Sequence, residues 1–319
     1  MKIVVLDGHT LNPGDLSWSG VERMGDLVVY ERTSPELVVE RIGDAEAVFT
    51  NKTELSREIF EHCPRLKFVC VLATGYNVVD VAAAKEHGVV VSNIPTYGTA
   101  SVAQFAMALL LELCHHAGTH TQDVRAGGWT KSADWCYWLN PTIELRDKTL
   151  GVVGFGRIGQ AFGRIGQALE MKVLAYDAHQ DESLESDTLQ YATLDELYAQ
   201  SDVISLHCPL FDNNRGMINK IAIAKMKPSV FLINTSRGPL IIEQDLADAL
   251  NKGWIAGAAL DVLCEEPPRS DNPLLTARNC LVTPHMAWAT TEARQRMMKI
   301  VEENLSSFLS GGPRNVVNP

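Results

Sequence analysis

The stretch TLGVVGFGRIGQ, residues 149–160, constrains the fold more than any other part of the chain. An apolar run leads into Gly154, Gly156 and Gly159, and a helical pattern follows. A second apolar run, KVLAYD, ends in Asp177, 23 residues after Gly154. Strand, tight turn, helix, strand and acid, in that order, predict a βαβ unit that holds a dinucleotide. Gly154 permits the turn, Gly156 lets the backbone approach a pyrophosphate, and Gly159 lets helix and sheet pack closely. The phosphates would meet unpaired N–H groups of the first helical turn, around Arg157, Ile158 and Gly159. Asp177 favours NAD, because a carboxylate accepts hydrogen bonds from a ribose 2′-OH and repels a 2′-phosphate. The same pattern also fits a Rossmann-like domain that binds S-adenosylmethionine, or nothing.

GRIGQ recurs at 163–167, but this copy cannot be a second phosphate turn. The residues before it are helical in pattern, and its glycine triplet is incomplete. Only about 16 residues would separate it from Asp177, too few for a helix and a strand. Gly159, Gly163 and Gly166 instead fall at i, i+4 and i+7, on one helix face. Ile158, Phe162, Ile165 and Leu169 form the neighbouring apolar stripe. Each interior glycine costs about 1 kcal/mol against alanine, so the face is expected to admit a close neighbour. Gly163→Leu is then expected to destabilise the fold without touching the chemistry.

The rest of the chain follows the same strand–helix rhythm. KIVVLD, LVVYE, AVFT, LKFVCVLA and VVVSN read as strands in the first hundred residues. TLGVVG, KVLAYD, VISLHC, VFLINT, AGAALDV and CLVTP read as six more, with helical patterns at 193–200, 215–226, 243–252 and 291–309. Such alternation implies parallel sheets with crossover helices. A length of 319 residues suits two domains. Residues 101–116 form a helix that is apolar nearly all round, hence buried on most sides. The connection after it carries three Trp and little periodicity, which points to a functional or interfacial segment.

Composition narrows the partners. A net charge of −11 argues against a nucleic-acid binder, though a local site for a small anion can oppose it. The longest apolar run, Phe105 to Leu111, is far short of the roughly 20 residues of a membrane span. The start, MKIVVLDG, does not read as a signal peptide. Seven cysteines without a CxxC pair are expected to be buried, reduced thiols of a cytoplasmic protein, and no metal site is expected.

In an open parallel sheet, ligands sit beyond the carboxyl ends of the strands. The polar residues there are Asp177, His207, Thr235-Ser236-Arg237, Asp261, Glu265-Glu266 and His285. Together they supply a cation, an acid–base group and a carboxylate. Hydride attack on a ketone builds negative charge on oxygen, which must be stabilised and protonated. A histidinium does both near neutral pH, and a neighbouring carboxylate favours and orients it. An arginine fork binds a substrate carboxylate or polarises the carbonyl. These are the parts needed to reduce a 2-keto acid.

Over nearly all its length the chain resembles the D-isomer-specific 2-hydroxyacid dehydrogenases. The resemblance rests on GFGRIG (154–159), HCPL (207–210), NTSRG (234–238), LDV with EEPP (260–268) and TPHMAW (283–288). ATGYNVVD (73–80), PTYGTASVAQ (95–104) and the Trp after PHMA point to the glycerate dehydrogenase and hydroxypyruvate reductase group. The resemblance implies that Arg237, Glu266 and His285 are catalytic, with Glu266 selected over Glu265 because it directly precedes Pro267. It implies that Ala73, Thr74 and Gly75 hold the substrate carboxylate, and that His207, Pro209, Thr235, Asp261 and His285 lie along the coenzyme. At Phe211 and Asn214, where relatives often carry Thr, the chain departs from the family.

The fold implied is two Rossmann-like or flavodoxin-like, doubly wound parallel-sheet domains with an active-site cleft between them. Residues 1–98 and 289–319 would form a discontinuous substrate domain, and 99–288 an inserted NAD-binding domain. The two crossings would act as hinges. A homodimer through helix 101–116 and the following loop is implied too. Trp135, Trp138 and Trp288 are candidates for the substrate pocket or for plain packing. The activity implied is NAD(H)-dependent reduction of hydroxypyruvate or glyoxylate to the D-hydroxy acid. Alternative readings are oxidation of another small anion, formate or phosphite, and an NAD(H)-sensing regulator that binds a protein partner.

Overall fold

Short apolar runs buried on both faces become parallel strands, since crossover helices cover each side of such a sheet. The computed structural model describes residues 1–319. It separates into two units, Met1–Gly98 with Ala289–Pro319, and Thr99–Trp288.

The first unit contains β1 (Lys2–Val5), β2 (Asp26–Val29), β3 (Ala47–Thr50), β4 (Phe68–Val71) and β5 (Val90–Ser92). Their order is β2-β1-β3-β4-β5, with every pairing parallel. This is the flavodoxin-like order. β3 and β4 are buried at every residue. The C-terminal tail covers the edge at β5: Asn93 N–H donates to Asn315 O (3.1 Å) and Val317 N–H to Val91 O (2.9 Å). An otherwise open sheet edge is thereby closed.

The second unit contains β6 (Thr149–Val153), β7 (Lys172–Tyr176), β8 (Leu189–Tyr191), β9 (Val203–Leu206), β10 (Phe231–Asn234), β11 (Gly257–Leu260) and β12 (Cys280–Val282). The order β12-β11-β10-β9-β6-β7-β8 is parallel throughout. It reverses direction between β6 and β9, the switch point at which a doubly wound sheet opens a crevice for a ligand. β8 was not legible as a strand. It is three residues long, lies at the sheet edge and has the exposed Gln190 at its centre.

Helix Arg157–Ala168 buries Gly159, Phe162, Gly163 and Gly166. The close neighbours are β6, β7 and the glycine turn itself. A Cβ on Gly166 would stand 2.5 Å from Leu150 Cδ2, and one on Gly159 2.1 Å from Gly154 O. One on Gly163 would stand 3.1 Å from the Phe155 ring. Gly163→Leu would therefore press on the Phe155 ring, which itself belongs to the core. Leu169 does not join the apolar stripe: it is exposed, as the cap residue after the last turn.

Helix Thr99–His115 lies against this glycine helix and against β10 and β11. The connection after it is more ordered than its sequence suggests. Ala117–Arg125 is helical but buries no residue, so apolar periodicity had nothing to report. The pattern at 215–226 shrinks to a helix at Lys220–Ile223. Gly216, at φ +63°, and a parallel bridge between Ile218 and Ile241 occupy the residues before it. All seven cysteines are free; Cys63, Cys70 and Cys114 are buried, whereas Cys136 and Cys264 are exposed. No helix is long and apolar enough to cross a membrane.

Candidate active site

A parallel sheet brings the carboxyl ends of all its strands to one edge, so residues far apart in sequence become neighbours. At the end of β6, Gly154 has φ +91°, and a Cβ there would stand 2.4 Å from the main-chain nitrogen of Cys208. Only glycine fits. A Cβ on Gly156, by contrast, would meet nothing within 4 Å. The turn thus leaves space in front of the helix N-terminus, whose first N–H groups lack intrahelical partners. Asp177, after β7, accepts from Phe155 N–H (2.7 Å) and His179 N–H (3.0 Å), bracing the turn from the neighbouring strand.

After β9 the main chain and side chain of His207 part company. Its imidazole is enclosed, tilted against Phe162 at 5.1 Å between ring centres, with Nε2 2.9 Å from Ser205 Oγ. Burial pushes its pKa down to about 3, so the ring is neutral and no acid–base group. Any coenzyme contact at this position falls to the main chain. Asn214 explains itself: it accepts from Phe211 N–H (2.7 Å) and donates to Pro209 O (2.8 Å), locking the turn that leaves Phe211 exposed.

After β10, the buried Asn234 shapes the turn that carries Arg237. Its amide donates to Arg237 O (2.9 Å) and accepts from Ser236 N–H (3.0 Å). The Thr235 hydroxyl is buried with no partner in the protein. An orphaned polar atom at a strand end fits an adjoining polar ligand. Arg237 is exposed, donates to Ser236 O (2.7 Å) and is in no ion pair. Gly238 sets Arg237 beside the next turn, since a Cβ there would lie 2.0 Å from Leu263 C and O.

That next turn, after β11, carries Glu266. Glu266 Oε1 accepts from Leu263 N–H (3.0 Å), and Oε2 lies 2.6 Å from His285 Nδ1. Glu243, unremarked in the sequence, bolts this turn down by accepting from Cys264 N–H (2.8 Å) and Asn272 Nδ2 (3.0 Å). Both His285 and Glu266 side chains are about one-third exposed, at 32% each. Glu265 makes no such contact with His285.

His285 itself sits at φ +51°, in the left-handed region. A non-glycine residue there costs about 1–3 kcal/mol and persists only where its surroundings dictate it. Here Asp261 dictates it. Its carboxylate, 1% exposed, accepts from Thr283 Oγ1 (2.6 Å), Met286 N–H (2.9 Å) and Ala287 N–H (2.8 Å). Hydrogen bonds to a charged group contribute about 1.5–3 kcal/mol each, enough to offset the strain. Burial raises the Asp261 pKa, opposed by Thr283, by the Ala287 and Met286 N–H groups, and by the charge of His285. Trp288 Nε1–H closes the turn on His285 O (2.9 Å).

In the first unit, the Ala73-Thr74-Gly75 loop follows β4. Ala73 O accepts from Ile94 N–H (3.0 Å), Thr74 Oγ1 donates to Ile94 O (2.8 Å), and Asn93 Nδ2 donates to Thr74 O (2.7 Å). These bonds occupy the Ala73 and Thr74 carbonyls and the hydroxyl, while the three N–H groups make no hydrogen bond within the protein. A row of unpaired N–H groups suits an anion. Trp135 and Trp138 are exposed at 86% and 69%.

Comparison with known proteins bears directly on this arrangement. Residues 107–287 match the model of the D-isomer specific 2-hydroxyacid dehydrogenase, NAD binding domain. The chain is 60% identical over 321 residues to a hydroxypyruvate reductase of Blautia hydrogenotrophica, covering 100% of both. It is 40% identical to a glycerate dehydrogenase of Methylorubrum extorquens, covering 99% of this chain and 98% of that one. Among solved structures, a D-lactate dehydrogenase from Aquifex aeolicus, complexed with NAD and lactic acid, superimposes with a TM-score of 0.84 at 27% identity, covering 100% and 99%. Fold, strand-end site and relatives agree that the chain belongs to the D-isomer specific 2-hydroxyacid dehydrogenase family, an NAD-dependent enzyme family.

Proposed function

We propose that this protein reduces a small 2-keto acid, hydroxypyruvate or glyoxylate, to the D-2-hydroxy acid with NADH, and catalyses the reverse oxidation. The observation that carries the reading is the His285 Nδ1–Glu266 Oε2 contact of 2.6 Å, built at the same sheet edge as the glycine turn. Names borne by relatives support the substrate class: hydroxypyruvate reductase and glycerate dehydrogenase, with glyoxylate reductase at 36% identity in Korarchaeum cryptofilum.

The coenzyme, when bound, supplies the hydride. Gly154, Gly156, Arg157, Ile158 and Gly159 would hold its pyrophosphate, Asp177 its ribose, and the main chain at His207 and Pro209, with Thr235, its remaining polar groups. Arg237, whose guanidinium is in no ion pair, binds the substrate carboxylate or polarises the carbonyl. His285 carries the proton on Nε2 and gives it to the developing alkoxide, while Nδ1 faces Glu266. Glu266 holds the ring in that orientation through its 2.6 Å contact with Nδ1. In the reverse direction the same nitrogen takes the proton from the hydroxyl. The N–H groups of Ala73, Thr74 and Gly75 are assigned to the substrate carboxylate.

A homodimer is part of the proposal. Leu111 on helix Thr99–His115 and Val124, Trp129, Trp135, Trp138 and Leu139 after it are large apolar side chains left exposed, of the kind that association covers. The free thiols suit a cytoplasmic setting. The function is tested by following NADH and NADPH absorbance with a panel of 2-keto acids and analysing the product on a chiral column. The reading requires NADH-dependent turnover of hydroxypyruvate or glyoxylate and a D product. Turnover confined to formate or phosphite oxidation, or tight NADH binding with no turnover at all, would overturn it.

A further inference from the structure

We infer that Asp261 is the positioning residue for His285: its buried carboxylate fixes the 283–287 backbone in the left-handed turn that presents the imidazole to Glu266. The inference deepens the functional reading above and rests on it for the role of His285. Thr283 O–H, Met286 N–H and Ala287 N–H converge on the two oxygens of one side chain that is 1% exposed. All three are donors, so the group between them must be an acceptor on both oxygens, which an ionised carboxylate is and a carboxamide is not. These bonds flank His285 on both sides in sequence. The residue between them takes φ +51°. With its neighbours tied to one carboxylate, the His285 backbone has little freedom, and its Nδ1 arrives 2.6 Å from Glu266 Oε2.

Asp261 is itself rigid. Its N–H donates to Asn234 O (2.9 Å), at the root of the Arg237 turn, and Thr283 N–H donates to Leu260 O (2.9 Å). One carboxylate therefore links the strand end that carries Glu266 to the turn that carries His285. Asp261 hydrogen-bonds the residues on either side of His285 and not its ring, so the orientation of the ring is the property to be read.

The experiment compares wild type, Asp261→Asn, Thr283→Val, Thr283→Ser and His285→Ala. Readouts are kcat with hydroxypyruvate, Kd for NADH and for ADP-ribose by calorimetry, and nitrogen-15 histidine NMR of the His285–Glu266 hydrogen bond. A small misplacement of a reacting group costs up to about 100-fold in rate, so Asp261→Asn should lose about that much kcat. With kcat read at saturating NADH, its Kd for ADP-ribose should stay within about threefold of wild type, well under half the free energy of that rate loss. The NMR signal of the His285 hydrogen bond should move or broaden. Thr283→Val removes one donor and leaves the carboxylate in place, so it should show the same signature at about tenfold, and Thr283→Ser should restore it.

Wild-type kcat in Asp261→Asn would overturn the inference. So would an unchanged His285 signal, or a rate loss that disappears at saturating NADH. If Asp261→Asn fails to fold, Thr283→Val decides: behaviour identical to wild type refutes the linkage. Failure of the functional reading looks different. It would appear as no turnover in wild type, or full turnover in His285→Ala, while the NMR comparison would still report whether Asp261 holds the ring.

Discussion

His207 offers a prediction whose size follows from its surroundings. The imidazole is enclosed, rests on Phe162, bonds Ser205 through one nitrogen and has no partner for the other. Its pKa in the folded protein is pushed down to about 3. In the unfolded chain it returns to about 6.5. Above that value the ring is neutral in both states and contributes no pH dependence. As pH falls, the unfolded chain takes up a proton that the folded protein refuses, so stability falls by about 1.4 kcal/mol per pH unit until the folded pKa is reached. At pH 5 the loss relative to neutral pH is about 2 kcal/mol. His207→Gln removes the titration whatever its own fixed cost. Urea unfolding by tryptophan fluorescence reads mainly the second unit, because Trp129, Trp135, Trp138, Trp254 and Trp288 lie there. The wild-type minus variant difference should shrink by about 2 kcal/mol between pH 8 and pH 5. Histidine NMR should show one ring that stays neutral to pH 5 and is missing from the variant. A difference that is flat with pH, or a His207 signal titrating near pH 6, would refute the reasoning.

Three other outcomes follow from the site. Gly163→Leu should lower stability by about 1–3 kcal/mol through overpacking, and because it presses on Phe155 it should also weaken NADH binding; thermal melts and NADH titrations check both, and an unchanged melting temperature contradicts it. Glu266→Gln keeps an acceptor for Leu263 N–H but removes the charge facing His285, so kcat should fall by about 100-fold with little change in NADH affinity. Steady-state kinetics at saturating NADH decides, and undiminished kcat rejects the pairing. Asp177→Ser frees Phe155 N–H and removes the carboxylate, so KM for NADH should rise about tenfold while that for NADPH falls. Unchanged KM values would show that Asp177 serves only the turn.

The sequence carried those features that repeat a pattern or repeat a chemistry. Eleven strands announce themselves as apolar runs, and in the glycine turn the structure leaves no room for a side chain at Gly154 or Gly159. The unforeseen elements lack a periodic signal. β8 is a short polar edge strand, and helix Ala117–Arg125 buries nothing that a hydrophobic pattern could register. Within the site, the groups at strand ends were legible because parallel strands place them together. The braces were less so. Asn234 and Glu243 act through main-chain contacts between turns, and only the Asn at the strand end of NTSRG hints at such a role. His207 shows the opposite limit. Its place among the strand-end polar residues was legible, whereas the enclosure of its ring against Phe162 was not, because that depends on packing. The carboxylate of Asp261 was visible at its strand end, but its bond set was not, because that set depends on the path of the 283–287 turn.

The most direct test of the account is a single-turnover experiment on His285→Ala, preloaded with NADH and mixed with hydroxypyruvate, following NADH absorbance. The account predicts NADH bound with near wild-type affinity and an oxidation rate lower by at least about 100-fold, the contribution expected of a positioned proton donor. NADH consumed at the wild-type rate would contradict it and remove His285 from the chemistry.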